Sequence, residues 1–344
     1  MNQEFYIELA KRFTTPVQLY HGTSSKFIPS ILKYGLKGDN QNSVWKDHNT
    51  RPDRFHITGR GRGPTFPGVY AANKVVGARQ YAGEATHKHG GNHTYVEIQS
   101  HNRQLHPDDD ALAHALVRAH ENSPYSKNLL RTLKYLTKKE RKEGLGKKLI
   151  QQSQKDFADK AIEHLGLSHK SPESLEKMRP TLNKLHNSGQ RLHHLDNLQE
   201  ELRSKASFKD RGEEKDTLRQ KAQSKVDSLM REHEGKYRAA MKELSDHLTW
   251  DKHHDTESGI DPKLTPHRIP RSVGYSGRTR ITGVHELEPD KENQGENWIK
   301  THYSEHKDAD GNMTPSLGFI NSIHRAGYTV KGVKNKHGKV ITEF

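Results

Sequence analysis

The 344-residue sequence contains no cysteine, which excludes disulfide bonds, thiolate nucleophiles and cysteine-ligated zinc. Apolar residues are also scarce, at 30% of the chain. No stretch approaches the roughly 18 apolar residues of a membrane-spanning helix, and no ordinary secretory signal peptide opens the sequence. We therefore expect no membrane insertion, and a location in the cytoplasm or, after translocation, inside a target cell.

The chain carries an excess of positive charge. It contains 57 lysines and arginines and 43 aspartates and glutamates, which gives a formal net charge of +14. Such a charge favours encounters with polyanions and acidic surfaces. The most basic run, "LTKKERKEGLGKK" at residues 136–148, contains no interleaved aromatic residue. It therefore predicts a solvated helix face rather than a nucleic-acid groove. The adjacent pairs His193-His194 and His253-His254 would point to different faces of a helix, and His87 and His89 have no acidic partner at ligand spacing, so no metal ion is expected.

Strand patterns lie before residue 110 and after residue 268, whereas the chain between about 111 and 250 is compatible with helix almost throughout. Narrow apolar stripes run through this middle region, for example Leu192, Leu195, Leu198 and Leu202. Stripes of this width predict antiparallel helices that pack pairwise, as in a coiled coil. The simplest interpretation is one β-containing domain interrupted by a helical insertion.

We therefore predict an α+β fold with four segments. These are residues 1–108 as the first part of the core, 109–255 as the helical insertion, 256–290 as the second part of the core, and 291–344 as a small C-terminal α/β unit.

The stretch "LYHGTSS" at residues 19–25 places a histidine at the end of a predicted strand. His21 would face a cleft there, and the backbone of Gly22 is open to a flat carboxamide. Thr23 and the two serines after it add hydroxyl groups and a helix N-terminus that favours an anionic group. Taken alone, a histidine in this position can equally be packed or solvated.

The stretch "GVYAANKVVGARQYAG" at residues 68–83 predicts a short strand followed by a helix. Tyr70 ends the strand, and Tyr81 follows eleven residues later, in the helix. A helix that folds back over the strand can bring both rings to one cleft, where they would stack on a planar ligand. The alternative is two ordinary amphipathic tyrosines of the core.

Together, the two stretches resemble the NAD-dependent ADP-ribosyltransferases of the diphtheria-toxin and poly(ADP-ribose)-polymerase branch, which carry a His-Tyr-Glu triad. The resemblance implies a split β-sandwich, here interrupted by the helical insertion, and NAD as substrate. It implies catalytic roles for His21 and Tyr70. The cofactor-binding residues that it implies are His21, Gly22, Thr23, Tyr70, Ala71 and Tyr81.

Two positions depart from the family pattern. Three residues before the second tyrosine the family usually has a serine that bonds the carboxamide, whereas this chain has Ala78. The catalytic glutamate should precede the strand at residues 281–284, but counting back leads to His267 and Arg268. The candidates for the catalytic carboxylate are therefore Glu286 and Glu257, and the remaining alternative is that no residue of the chain supplies it.

The function expected from the resemblance is mono-ADP-ribosyl transfer from NAD to a macromolecule, in the manner of a bacterial effector or toxin. A protein target is expected first, and the basic charge would also suit a nucleic acid. One alternative is an NAD-dependent RNA 2'-phosphotransferase, a related enzyme in which Arg51, Arg54, Arg60 or Arg62 would bind phosphate. The other is a catalytically degenerate binding or adaptor protein, which the missing glutamate favours.

Overall fold

The computed structural model describes residues 16–38, 66–101, 104–167, 170–204, 213–248 and 267–344. They form two compact units. The α/β unit consists of the described residues up to 38, from 67 to 108 and from 267 to 344. The helical unit consists of residue 66 and the described residues from 109 to 248. The helical unit thus interrupts the α/β unit in sequence.

The α/β unit contains two β-sheets, and the predicted α+β class is confirmed. Its strands are β1 (Pro16–Ser24), β2 (Val69–Ala71), β3 (His93–His101), β4 (His267–Ile269), β5 (Arg280–Pro289), β6 (Glu296–Ser304), β7 (Thr329–Asn335) and β8 (Val340–Glu343). The larger sheet has six strands in the order β1-β3-β5-β6-β7-β8 and is antiparallel except between β6 and β7. The smaller sheet is the antiparallel pair β2–β4.

The helices divide between the two units. The α/β unit contains α1 (Ile28–Tyr34), α2 (Val75–His89) and α9 (Leu317–Arg325). The helical unit contains α3 (Asp109–Glu121), α4 (Pro124–Tyr135), α5 (Lys138–Lys142), α6 (Leu145–His164), α7 (Pro172–Ser204) and α8 (Glu213–His247). Within the described ranges, no helix combines the length and apolar character needed to cross a bilayer.

Both faces of the larger sheet are covered, because alternate residues of β1 and β3 enter two different cores. Leu19 and Val96 pack with Val69 and Ile269 of the smaller sheet and with α1. We call this side the His21 face, since His21 lies two residues after Leu19. On the opposite side, the helix face, Tyr20, Tyr95 and their neighbours pack against α2 and α9.

The C-terminal residues differ from the sequence-based division, which treated 291–344 as a separate small unit. β6, β7 and β8 extend the sheet of β1, β3 and β5, and α9 covers its helix face. β6 lies in a segment without a clear strand pattern. Its register shifts between Asn297 and Trp298, so the consecutive residues Trp298 and Ile299 are both buried and the period-2 alternation is lost.

In the helical unit, α7 and α8 pack antiparallel, as the narrow stripes predict. Thr181, early in α7, donates to Glu243, late in α8, at 2.6 Å. Gln199, late in α7, donates to Asp227 at 2.7 Å. Near the second of these hydrogen bonds, Leu195 of α7 packs with Val226 and Met230 of α8.

A buried histidine makes the helical unit sensitive to acid. His120, at the end of α3, is 7% exposed, and its Nδ1 lies 2.8 Å from the Ser126 hydroxyl. Burial, assisted by the nearby positive groups of His193, His186 and Lys127, lowers the pKa of His120 to about 4. The folded protein therefore keeps this ring neutral at pH values where the unfolded chain protonates it.

We predict that the free energy of unfolding falls between about pH 6.5 and pH 4, because only the unfolded chain takes up a proton on His120 in that window. The loss from this group should reach about 2–3 kcal/mol near pH 4.5. His120→Gln, which retains a hydrogen-bonding side chain and does not titrate, should flatten the pH dependence by that amount. Chemical denaturation followed by circular dichroism at pH 7.0 and 4.5 measures it. The exposed His114→Gln is the control, and an equal flattening in both variants would contradict the prediction.

Candidate functional site

The end of β1 places neighbouring residues on opposite faces of the larger sheet. His21 pairs with Val96 of β3, and Thr23 pairs with Thr94, so both side chains belong to the His21 face. Gly22 pairs with Tyr95 and belongs to the helix face. The sequence places His21 at the end of the strand, but β1 continues three residues beyond it, to Ser24, so His21 lies within the strand. β1 is an edge strand of the larger sheet.

His21 is fixed by the smaller sheet. Its Nδ1 lies 2.7 Å from the carbonyl oxygen of Tyr70 in β2. Because a carbonyl can only accept, Nδ1 carries the proton. Burial lowers the pKa of His21, and the bond to Tyr70 offsets only part of this effect. The ring is therefore neutral at pH 7, and Nε2 presents a lone pair that can accept a hydrogen bond from a hydroxyl group.

Gly22 allows α2 to approach the strand at backbone distance. A Cβ at this position would overlap the carbonyl oxygen of Ala78 and lie 2.8 Å from the backbone nitrogen of Ala82. Because α2 contacts Gly22 through this turn, Tyr81, which lies in the same turn, is held close to the end of β1. Ala78, at the position where the resemblance leads one to expect serine, contributes this contact through its backbone.

The outer edge of β1 carries the backbone groups of Gly22. Tyr20 and Ala72 exchange two backbone hydrogen bonds across this edge, of 2.7 and 2.9 Å. Since backbone groups alternate in direction along a strand, the N–H and C=O of Gly22 point to the same edge. Among the described residues, no backbone hydrogen bond reaches them there. Gly22 is buried, and its N–H donor and C=O acceptor lie side by side on this edge, in the arrangement complementary to a carboxamide.

The other predicted binding residues have buried side chains. Ala71 is 1% exposed and belongs to the core between the two sheets. Thr23 is also buried. The hydroxyls of the next two serines, expected to bind an anion, instead bond the loop before β3: Ser24 donates to the Gly90 carbonyl, and Ser25 accepts from the Asn92 backbone at 2.9 Å.

The positions reached by counting back for a glutamate lie in β4. His267 pairs with Ala71, and Arg268 pairs with Tyr70. Both side chains are buried, and burial lowers the pKa of His267 to about 4. β4 itself carries no carboxylate. Glu257 lies outside the described residues.

Glu286 in β5 is a carboxylate on the His21 face. It pairs with Thr94, which itself pairs with Thr23 of β1, so the three residues form one row across the sheet. Asn92 donates to Oε1 at 2.8 Å, and the His302 ring lies 2.9 Å from Oε2. The bond with His302 lowers the pKa of Glu286, and although burial opposes this, the group is ionised at pH 7. β5 is two strands away from β1, which corresponds to about 10 Å.

Sequence reasoning missed a buried polar network on the helix face. Glu97 of β3 and His285 of β5 are both fully buried, and the His285 ring lies 2.8 Å from Glu97 Oε1. The backbone N–H of Ser316, the N-cap of α9, donates to the same oxygen at 3.1 Å. Burial opposes ionisation, but these bonds outweigh it and lower the pKa of Glu97. The network anchors α9 to the sheet.

The signal for this network is present in "TYVEIQ", where period-2 alternation places Tyr95 and Glu97 on one face. That pattern is typical of a strand with one solvated face, and a glutamate there would be exposed. α9 comes from residues more than 200 positions later, so local alternation contains no information about it.

The arginines that would support an RNA 2'-phosphotransferase, at positions 51, 54, 60 and 62, lie outside the described residues. Comparison with known proteins adds no family: no protein-family model, no curated protein and no solved structure matches the chain. Function must therefore be argued from the site itself.

We predict that Gly22→Ala destabilises the α/β unit by about 2 kcal/mol, because the new methyl group would push α2 away from β1. The matched control is Gly274→Ala, since a Cβ at Gly274 would meet no atom within 4 Å. Urea denaturation of both variants and the wild type measures the difference. Equal midpoints for the two variants would show that the close approach at Gly22 is not a constraint.

Proposed function

We propose that the chain is a mono-ADP-ribosyltransferase that cleaves NAD and transfers ADP-ribose to a macromolecular target, with a protein as the first choice. The observation that carries the proposal is the convergence at the end of β1. His21 is fixed on Tyr70, the backbone N–H and C=O of Gly22 lie on the outer edge of β1 with no backbone partner there among the described residues, and the turn of α2 with Tyr81 lies beside them. These are the residues that the resemblance to the His-Tyr-Glu transferases assigns to NAD.

The nicotinamide end of NAD fits the edge of β1. Its carboxamide has one acceptor oxygen and an NH₂ donor, and Gly22 offers an N–H and a C=O in the complementary order. In this proposal the rings of Tyr70 and Tyr81 pack on the two faces of the nicotinamide. The loss of the serine hydroxyl at Ala78 removes one hydrogen bond, which is worth about 1 kcal/mol.

The ribose hydroxyls fit His21. A neutral imidazole with its proton on Nδ1 accepts a hydrogen bond from a hydroxyl group at Nε2. This contact holds the nicotinamide ribose against the strand while the carboxamide is held at Gly22. Two contacts on either side of the glycosidic bond fix its orientation, which lowers the entropic part of the barrier.

In the reaction, the bond between the ribose C1' and the nicotinamide nitrogen breaks, and the bonding pair leaves with nicotinamide. A nucleophile of the target supplies the pair for the new bond to C1', and its proton passes to solvent. The ribose develops positive charge in between, and a carboxylate near it stabilises that charge. We assign this role to Glu286, because it is ionised and lies on the His21 face.

The first test is incubation of the purified chain with labelled NAD and a cell lysate. We predict release of nicotinamide and transfer of label to protein, both reduced at least about 100-fold in His21→Ala and about 10-fold in Tyr81→Ala. His337→Ala, in the exposed turn between β7 and β8, is the control and should match the wild type. If the wild type neither binds NAD in calorimetry nor releases nicotinamide, the chain is a binding or adaptor protein and the proposal is wrong.

The second test separates charge stabilisation from binding. Glu286→Gln keeps the size of the side chain and removes its charge, so it should lower nicotinamide release about 100-fold and change the dissociation constant of NAD less than about threefold. The matched control is Glu288→Gln, since Glu288 lies on the same strand and faces Lys334 at 3.9 Å. Turnover unchanged in Glu286→Gln, with NAD bound normally, would remove Glu286 from the mechanism.

A further inference from the structure

The helical unit carries a dense group of positive charges on α4, α5 and the start of α6. Residues 127–148 contain nine lysines and arginines and two glutamates. Their net charge of +7 is half of the +14 of the whole chain. We call the exposed side chains of this stretch the basic surface.

The charges of the basic surface are not neutralised. Seven of its cations are exposed and form no ion pair or hydrogen bond within the described part of the chain: Lys127, Arg131, Lys134, Lys138, Lys142, Lys147 and Lys148. Elsewhere in the same unit some exposed cations are paired, as in Lys184 with Glu243, Lys236 with Glu232 and Lys242 with Asp246. Single unpaired cations such as Lys155 and Lys177 also occur in the unit, so the basic surface is distinguished by seven of them within residues 127–148.

The two glutamates of the stretch have local partners. Glu140 accepts from the backbone and hydroxyl of Thr137, the N-cap of α5. Glu143 lies 4.0 Å from Lys139. Among the described residues, neither glutamate forms an ion pair with any of the seven unpaired cations.

The cations of α4 form a stripe that includes an exposed aromatic ring. Lys127, Arg131 and Lys134 follow the i, i+4, i+7 spacing of one helix face and span about 10 Å along the axis. Tyr135 lies four residues after Arg131 and is 75% exposed. The sequence run at 136–148 has no interleaved aromatic residue, but the exposed Tyr135 directly precedes it and lies on α4 with the cation stripe.

We propose that the basic surface binds single-stranded nucleic acid, with the cations on the phosphates and Tyr135 stacked on a base. Proteins that bind single-stranded nucleic acid without sequence preference combine spaced cations, which contact the phosphates, with exposed aromatic rings, on which bases stack. The basic surface has both. A bilayer is the poorer occupant, because the leucines of α4 are buried or half-buried and none is exposed for insertion. The inference does not depend on NAD chemistry.

The test is fluorescence anisotropy of a labelled 20-nucleotide polyuridine RNA titrated with the full chain at 50 to 300 mM salt. One triple variant, which combines Lys127→Gln, Arg131→Gln and Lys134→Gln, removes three cations of the basic surface. We expect RNA affinity to fall at least 10-fold at 100 mM salt, and the slope of log affinity against log salt to decrease by about 2. Tyr135→Ala should weaken binding severalfold and leave the slope unchanged.

The matched control is a second triple variant, which combines Lys184→Gln, Lys236→Gln and Lys242→Gln and removes three paired cations. It should change the RNA affinity less than threefold. Circular dichroism confirms that both triple variants are folded. Equal losses in the two triple variants would overturn the proposal, as would wild-type anisotropy that does not change at 50 mM salt. It would also be overturned if polyglutamate of equal charge displaced the RNA at equal concentration, or if phosphatidylserine vesicles bound and RNA did not.

Discussion

The close approach of α2 to β1 at Gly22 is the constraint on which the candidate site depends. A side chain at this position would collide with the backbone of α2 at Ala78 and Ala82. Because Gly22 has no side chain, α2 lies against β1. The turn of α2 that contains Tyr81 is thereby placed next to His21 and the outer edge of the strand. The same glycine therefore determines where one predicted ring lies and which backbone groups a ligand can meet.

The larger sheet keeps its two faces chemically distinct. On the helix face, the Glu97–His285 pair and the N-cap of α9 form a closed, fully buried network that holds the packing together. On the His21 face, the polar groups lie at the end of the apolar core, where His21 and Glu286 belong to strands separated only by β3. Glu97 and Glu286 lie on neighbouring strands, but their partners differ. Glu97 therefore holds the packing together, whereas Glu286 belongs to the candidate site.

Much of the local structure follows from the sequence. Alternation predicts β3 and the start of β5, helical spacing predicts α1, and the turn around Asn335 predicts the hairpin of β7 and β8. β6 could not be predicted, because its register shift removes the alternation on which strand prediction depends. Glu97 could not be recognised as buried, because α9, which covers it, is distant in the sequence.

The sequence by itself determined the α+β class, the helical interruption and the strand that leads into His21, since these depend on periodicity and turn chemistry within short windows. Only the tertiary structure decided that His21 is fixed on Tyr70, that Glu286 lies on the same sheet face, and that β4 brings His267 and Arg268 where a glutamate was sought. The reason is physical: strand pairing joins residues up to 200 positions apart, and which neighbours a charge meets is settled only when those strands come together.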